Sequence, residues 1–386
     1  MDHRLKSPLK VLHLAVGKMY GGIESMLTTL ARNRHFCPEV HQEVALCFPG
    51  QLRRNLEEAG VPVHDLGPVR FSRPWQVWRA RHRLRQIIRQ TQPDVVLPHG
   101  GWVYALGAPA ARSCDVPVVL FAHAPPTREN WPDRLARQIR PTACIANSEF
   151  TARAVRDWYP GVPCQTVHCP VAPTAVADQA STRQAIRREL RTMPEAVVIL
   201  YAARMEPGKG PDVLLRALAC LKNQSSWVCW LAGSPGNAAG EAYLADLHRK
   251  ADSFGIADRL RWLGHRNDVP NLLASADMLC QPNRLPDSFG IAFVEALYAG
   301  VPVVTAALGG ALEIVDESCG RLVPPDDAEA LAETLRRLIE DGELRRQLGA
   351  NGPARAESLC NPQWQMQRLK EALAASVMQQ VARIER

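Results

Sequence analysis

Two cations follow one apolar run closely. Val197–Ala203 leads into Arg204-Met205-Glu206-Pro207-Gly208-Lys209-Gly210. Arginine presents a planar fork that grips two anionic oxygens at once, and lysine adds a compact point charge. Pro211 suits a first helical turn, so the loop carries both cations to a helix start. These types suit a phosphate or diphosphate; a solvated basic loop is the plain alternative. A second stretch pairs an isolated carboxylate with a helix. From Ser288 to Gly300 the only charge is Glu295, and Gly300 and Pro302 close the segment. A helix starting close to Ser288 would offer backbone N–H groups to an anion or to hydroxyls. An ionised carboxylate on its apolar surface is costly unless something binds it. The alternative is that Asp287 or Ser288 merely caps the helix and Glu295 bonds nearby backbone. A reciprocal capping box would need Glu or Gln three residues on, where Gly290 and Ile291 stand.

Two weaker signals lie in the first half. Gly17-Lys18-Met19-Tyr20-Gly21-Gly22-Ile23-Glu24 fits neither G-x-G-x-x-G nor G-x-x-x-x-G-K-[ST]. Gly21-Gly22 still permits close backbone approach to a ligand at a helix start, though a simple turn explains it equally. His123 ends the run Pro117–Ala122, where an imidazole can exchange a proton near neutral pH. His13 and His99 are structural or supporting candidates.

The elements that must position these residues alternate. Expected strands in the first half are Lys10–Val16, Val40–Phe48, Val61–Leu66, Asp94–Pro98, Pro117–His123, Ala143–Asn147 and Gln165–His168. In the second they are Val197–Arg204, Trp227–Ala232, Leu260–Leu263, Met278–Gln281, Pro302–Ala306 and Gly320–Val323. Amphipathic segments such as Ile23–Ala31, Pro211–Leu221, Tyr243–Phe254 and Ala328–Ile339 lie between them. Apolar strands alternating with helices predict parallel sheets covered on both faces, and two such series predict two doubly wound α/β domains. The proline-rich stretch after Pro170 reads as a linker, followed by a short helix at Arg183–Arg191. The expected domains are 1–172 and 173–386, with a terminal helix from about 362 packing back toward the first. Ligands of parallel sheets sit beyond the carboxyl ends of the strands, so two facing sheets would make a cleft.

Composition bounds the rest. The 386 residues are 46% hydrophobic and 22% charged, which excludes a disordered or collagen-like chain. No apolar run reaches the roughly 18 residues of a membrane span. The apolar stretch Leu9–Val16 contains Lys10 and His13 and reads as a strand, so no signal peptide is expected. Eleven scattered cysteines without C-x-x-C argue against a structural zinc site, the grouping Cys164, His168, Cys169 lacking a second half, and fit a reducing compartment. The net charge of +7 is uneven. Residues 1–172 hold 22 Lys and Arg against 13 Asp and Glu, and the remainder is slightly acidic. Seven arginines fall between Arg70 and Arg89, with Trp75, Trp78, Leu84, Ile87 and Ile88 forming an imperfect apolar face. Arginines with interfacial tryptophan fit an anionic membrane surface; an ordinary helix packed on the sheet is the competing reading. Nucleic acid is not expected, because no aromatic platform accompanies the charge.

Taken together these residues resemble glycosyltransferase family 4, retaining enzymes of the two-domain GT-B fold. The resemblance covers nearly the whole chain and is strongest from Val197 to about Pro325. It rests on Arg204…Lys209-Gly210, Leu231-Ala232-Gly233-Ser234, Ser288-Phe289-Gly290…Glu295-Ala296, Gly300-Val301-Pro302 and Gly309-Gly310…Glu313. Gly21-Gly22-x-Glu24, His123 and Ala146-Asn147-Ser148 add to it. The resemblance implies a nucleotide-diphosphate sugar as donor, with Arg204 and Lys209 neutralising the departing diphosphate and Glu295 holding the ribose hydroxyls. Asp287 and the Phe289–Gly290 backbone would hold the sugar, with Ser288 and Gly233 also on the donor side. Gly21 and Gly22 would approach its phosphates or sugar, and His123 would contact the transferred sugar. The implied acceptor is a glycan, lipid-linked or other hydroxyl. No Asp-x-Asp occurs, so metal independence is expected, with no cofactor. One departure stands out: the family usually shows Glu-x7-Glu, and this chain has Asp287-x7-Glu295. A nucleotide-sugar epimerase or hydrolase of the same architecture, and a non-catalytic sugar-nucleotide-binding protein, are the alternative functions.

Overall fold

The structure, a computed structural model, describes residues 8–18, 21–224 and 227–384. The described residues form two compact units. One comes from Met1–Ala172 with Cys360–Arg386, the other from Pro173–Leu359. The chain leaves and re-enters the first unit at adjacent points, where the Val171 N–H donates to the Cys360 carbonyl at 3.0 Å.

The first unit holds β1 (Leu9–Ala15), β2 (Val40–Leu46), β3 (Val63–Asp65), β4 (Val95–Pro98), β5 (Val119–Ala122), β6 (Ala143–Ala146) and β7 (Cys164–Thr166). All pair in parallel, in the orders β3-β2-β1-β4 and β5-β6-β7. Parallel bridges Val96–Val118 and His99–Phe121 join the two groups edge to edge. The central strands β4, β5 and β6 are buried at every position because helices cover both faces, and Tyr104 and Phe121 lie fully buried among them. The terminal helix Pro362–Ile384 packs against the helix Gly22–Arg32, tied by Lys370 Nζ to Glu39 Oε1 at 3.3 Å.

The second unit repeats the plan with β8 (Val197–Ala202), β9 (Trp227–Ala232), β10 (Leu260–Gly264), β11 (Met278–Gln281), β12 (Val303–Ala306) and β13 (Gly320–Val323). The parallel order is β10-β9-β8-β11-β12-β13. In both units the strand order reverses beside the first strand, between β1 and β4 and between β8 and β11. Such reversals open crevices at the carboxyl ends of the strands. The short helix after the linker runs Gln179–Glu189, earlier than the expected Arg183–Arg191, because Asp178 caps it by accepting from the Ser181 N–H. Arg183 and Arg187 lock this helix onto Asp277, each donating at 2.6 Å, while the Val198 N–H donates to the same carboxylate. Arg187 is buried, and it also donates to the carbonyls of Ser275, Pro194 and Ala196. That fully bonded setting makes its burial tolerable.

Candidate functional site

In the second unit β8 ends at Ala202 and delivers Arg204 to the surface, where its side chain is 58% exposed. The Tyr201 hydroxyl pins the Arg204 carbonyl at 3.1 Å, and the guanidinium donates to Glu206 Oε1 at 2.6 Å. A single 3-10 turn, Pro207–Lys209, then brings Lys209 inward. Gly210 closes that turn at φ +69°, and a Cβ there would lie 1.9 Å from the Pro282 carbonyl oxygen. Only glycine permits both the left-handed backbone and this approach of the β8 loop to the end of β11.

The approach puts Lys209 Nζ against Asp287 Oδ1. Asp287 Oδ2 accepts from Asn283 Nδ2 at 2.8 Å and from Gln281 Nε2 at 3.2 Å, and Gln281 Nε2 also reaches Asn283 Oδ1 at 2.8 Å. The Gly310 N–H donates to the Asp287 carbonyl at 2.8 Å, which holds the loop's backbone. Both Asp287 oxygens are therefore engaged by neighbouring side chains. Gln281 and Asn283 were not among the expected site residues; their signal was two polar residues at the end of the apolar run Met278–Cys280.

The helix after this loop begins at Ile291, later than the expected Ser288, and ends at Tyr298. Gly290 is the reason, since at φ +120° it stands outside helical backbone. Ser288 and Phe289 therefore lie in the loop, Phe289 buried. Glu295 is half-buried on the helix, and among the described residues its carboxylate has no hydrogen-bond or ion-pair partner. The expected alternative of a bond to nearby backbone is absent among these residues. Loss of solvation lifts its pKa to about 7, so near neutral pH the group is poised between its neutral and charged forms. Gly233 has a structural reason of its own. A Cβ would meet the Ala203 carbonyl oxygen at 1.8 Å, and its N–H is already given to Gly264 at 2.8 Å.

In the first unit Gly21 caps the helix Gly22–Arg32, and the Glu24 carboxylate folds back to accept from the Gly21 N–H at 3.1 Å. Burial pushes the pKa of Glu24 above the usual carboxylate value. This is one half of a capping box, so Glu24 has a local task. Met19 and Tyr20 of the same motif lie outside the described residues. His123 stands one residue past β5, half-buried, and accepts or donates at Nε2 toward His99 Nδ1 at 2.8 Å. Its main-chain oxygen accepts from Asn147 Nδ2 at 3.3 Å. His99 in turn meets His13, so the two histidines expected as structural or supporting residues form one chain with His123.

The arginine-rich stretch is the helix Pro74–Thr91. Its buried face is Ala80, Leu84, Ile87 and Ile88, while Trp75 and Trp78 are 59% and 66% exposed. The expected apolar face is corrected to that extent: both tryptophans point away from the core. Arg81 is spent on the Ala105 and Leu106 carbonyls and Arg85 on Ser113 Oγ. No helix of the described residues is long and apolar enough to cross a membrane.

The chain matches the family model Glycosyltransferase Family 4 over residues 20–174 and Glycosyl transferases group 1 over residues 182–355. A D-inositol 3-phosphate glycosyltransferase of Salinispora arenicola is 34% identical over 200 residues, 50% of this chain and 44% of that one. The protein of the same name from Jonesia denitrificans is 31% identical over 230 residues, 56% of this chain and 53% of that one. This chain thus spans about half the length of these relatives. Among solved structures, Anabaena HepE in complex with UDP-glucose superposes with a TM-score of 0.82 at 24% identity, over 95% of this chain and 99% of that one. Sucrose-phosphate synthase from Thermosynechococcus elongatus gives 0.77 at 17% identity, over 95% and 99%. These likenesses show the fold: two parallel-sheet α/β domains of the GT-B type.

Proposed function

The chain belongs to glycosyltransferase family 4, and on that premise we propose that it moves a sugar from a UDP- or GDP-linked donor to a hydroxyl of a glycan, lipid-linked or other acceptor, with retention. The observation that carries this reading is Glu295, a desolvated carboxylate with no partner among the described residues, on the helix that follows the Lys209–Asp287 pair. Two vicinal ribose hydroxyls donating to it would supply the bonds it lacks and favour its ionised form.

In the proposed reaction the bond from the anomeric carbon to the diphosphate oxygen breaks. A bond to the acceptor oxygen forms on the same face, and the acceptor's proton passes to the departing phosphate. Negative charge builds on the leaving diphosphate, and Arg204 and Lys209 are the cations that meet it. Arg204 is exposed enough to exchange Glu206 for a phosphate. Lys209 stays seated on Asp287, so it delivers its charge without reorganising. We therefore assign Asp287 first to Lys209, and leave the sugar to the backbone of Ser288, Phe289 and Gly290. Gly21 and Gly22 are assigned to backbone approach to the donor, and His123 to a hydroxyl of the transferred sugar. With two cations on the diphosphate, transfer needs no divalent metal; a chelator should leave the rate unchanged, and loss restored by added Mg²⁺ would overturn that.

The test is a thermal-shift panel of UDP, GDP and ADP sugars, UDP-glucose first, followed by titration of Arg204→Ala and Glu295→Ala. Tight binding of the preferred donor by both variants would show the donor site is elsewhere. Nucleoside diphosphate released only when an acceptor is present supports transfer. Free sugar without acceptor points to hydrolysis, and binding without turnover to a carrier. The exposed Trp75 and Trp78, with the exposed Arg79 next to them in sequence, support contact with an anionic membrane surface in the cytoplasm. Co-sedimentation with phosphatidylserine vesicles at low salt should be lost in Trp75→Ala/Trp78→Ala; no sedimentation of the wild type would remove the membrane from the account.

A further inference from the structure

Three histidines of the first unit lie side by side across three neighbouring strands. His13 is in β1, His99 follows β4 by one residue, and His123 follows β5 by one. The β1–β4 pairing and the His99–Phe121 bridge bring them level. His13 Nδ1 is 2.9 Å from His99 Nε2, and His99 Nδ1 is 2.8 Å from His123 Nε2. The ring planes are inclined to each other by only 13° and 24°, with centroids 5.2 and 5.1 Å apart. Phe121 lies against both His99 and His123, at 5.4 and 4.4 Å. The chain of rings has two open ends. Among the described residues His123 Nδ1 has no hydrogen-bond partner, nor has His13 Nε2. Beside His13 is a cavity of about 10 Å³, lined also by Cys37, Gln42 and Lys370. Lys370 is paired with Glu39, and among the described residues no carboxylate is hydrogen-bonded to any of the three rings. Burial holds all three imidazoles neutral: His13 falls to about 4, His123 to about 3, and His99, flanked by both, falls well below its ordinary value.

A neutral imidazole donates from one nitrogen and accepts at the other. That fixes the pattern. If His13 donates from Nδ1, His99 accepts at Nε2, so its proton is on Nδ1 and goes to His123 Nε2. His123 must then carry its own proton on Nδ1. In the reverse sense all three protons sit on Nε2. No mixed pattern makes both bonds. The open nitrogen of His123 is therefore a committed donor or a committed acceptor, and the choice is shared with a residue it does not touch.

We propose that His13, His99 and His123 form one tautomeric unit, in which His99 and His13 are positioning residues that fix the ring plane and the hydrogen-bonding sense His123 offers to a substrate hydroxyl. The unit itself rests on geometry; its consequence for a substrate rests on the transferase reading. Histidine-selective ¹⁵N labelling and imidazole NMR of the full chain test the first part without any activity. From pH 6 to 8 each of the three rings should show one protonated and one bare nitrogen, and the protonated nitrogen should be the same one, δ or ε, in all three. Rings that differ, or one that is a cation in that range, would overturn the unit. Single variants His13→Gln, His99→Gln and His123→Gln assign the signals, and His13→Gln should alter the His123 resonances. The second part is kinetic. His99→Phe should lower kcat at least about tenfold with nucleoside diphosphate affinity unchanged. His99→Gln, which keeps a donor and an acceptor, should recover part of the loss. Equal losses in both variants, or none, would overturn the positioning role while leaving the NMR result to stand by itself.

Discussion

Each unit sets polar side chains at its reversal point: in one, His13 within β1 and His99 just past β4, with His123 just past the neighbouring β5; in the other, Arg204 and Lys209 past β8 and Asp287 past β11. The two positions are filled with opposite chemistry. The first unit carries three neutral rings bonded to one another. The second carries charges, Lys209 on Asp287 and Arg204 on Glu206, with Glu295 beyond them lacking a partner among the described residues. A neutral bonded chain keeps its internal bonds without a ligand and loses function when its geometry is disturbed. A charged set balanced by internal pairs stays soft, because an arriving anion can displace one partner, and a carboxylate in poor solvation gains most when something donates to it. The first set suits holding an orientation, and the second suits holding a ligand whose charge changes.

The comparison is tested hardest at the cations. Arg204→Ala and Lys209→Ala should each lower kcat/KM by about 10²–10³, and each should weaken nucleoside diphosphate binding measured by titration. His99→Phe should leave that binding alone. If the histidine variant weakens diphosphate binding as much as the cation variants do, the division of labour between the units fails.

A smaller effect, on protons, sharpens the same contrast. Burial raises Glu295 to about 7 from an ordinary 4.5. Below pH 4.5 the group is protonated whether the chain is folded or not. Between 4.5 and 7 the unfolded chain ionises first, so the folded state loses stability as pH rises, and above 7 the loss is complete. Glu295→Gln should flatten that slope in urea unfolding followed across pH. A donor whose hydroxyls bond the carboxylate favours its ionised form, so binding at pH 6 should release close to one proton. Calorimetry in two buffers of different ionisation heat reads this directly. Release that persists in Glu295→Gln would place the titrating group elsewhere.

Much of this architecture is written locally. All thirteen strands were legible, most of them as short apolar runs closed by Gly, Pro or a polar residue, and their ends moved by only a few residues. The read run Pro117–His123 narrows to Val119–Ala122, which leaves His123 in the loop where it can meet a ligand. The cation loop and the Asp287–Glu295 stretch were legible for the same reason, being continuous in sequence. What escaped was non-local. The histidine chain joins positions 86 and 24 residues apart, and only the strand pairing makes them neighbours. The sequence groups Trp75 and Trp78 with Leu84, Ile87 and Ile88 on one apolar face, yet the helical repeat that buries Ala80, Leu84, Ile87 and Ile88 continues through Val77 and leaves both tryptophans off the stripe. Gly290 at φ +120° delayed the helix start, a backbone choice that residue type alone permits without dictating.

The smallest expected effect concerns the departure from the family pattern. Asp287 stands where a longer carboxylate is usual, and here Oδ1 meets Lys209 while Oδ2 is held by Asn283 and Gln281. Asp287→Glu adds one methylene with the backbone still tied through the Gly310 N–H. The longer side chain must shift either its own carboxylate or Lys209, at the cost of one hydrogen bond, roughly 0.5–1.5 kcal/mol. If Asp287 acts by seating Lys209, every donor should suffer alike, by about threefold in kcat/KM. If it touches the sugar, one methylene should change preference between two donors that differ only in the sugar, by about tenfold or more. The geometry favours the uniform result, because both oxygens already have partners inside the protein. A changed ranking of UDP sugars with unchanged affinity for UDP would move Asp287 from holding a cation to reading the substrate.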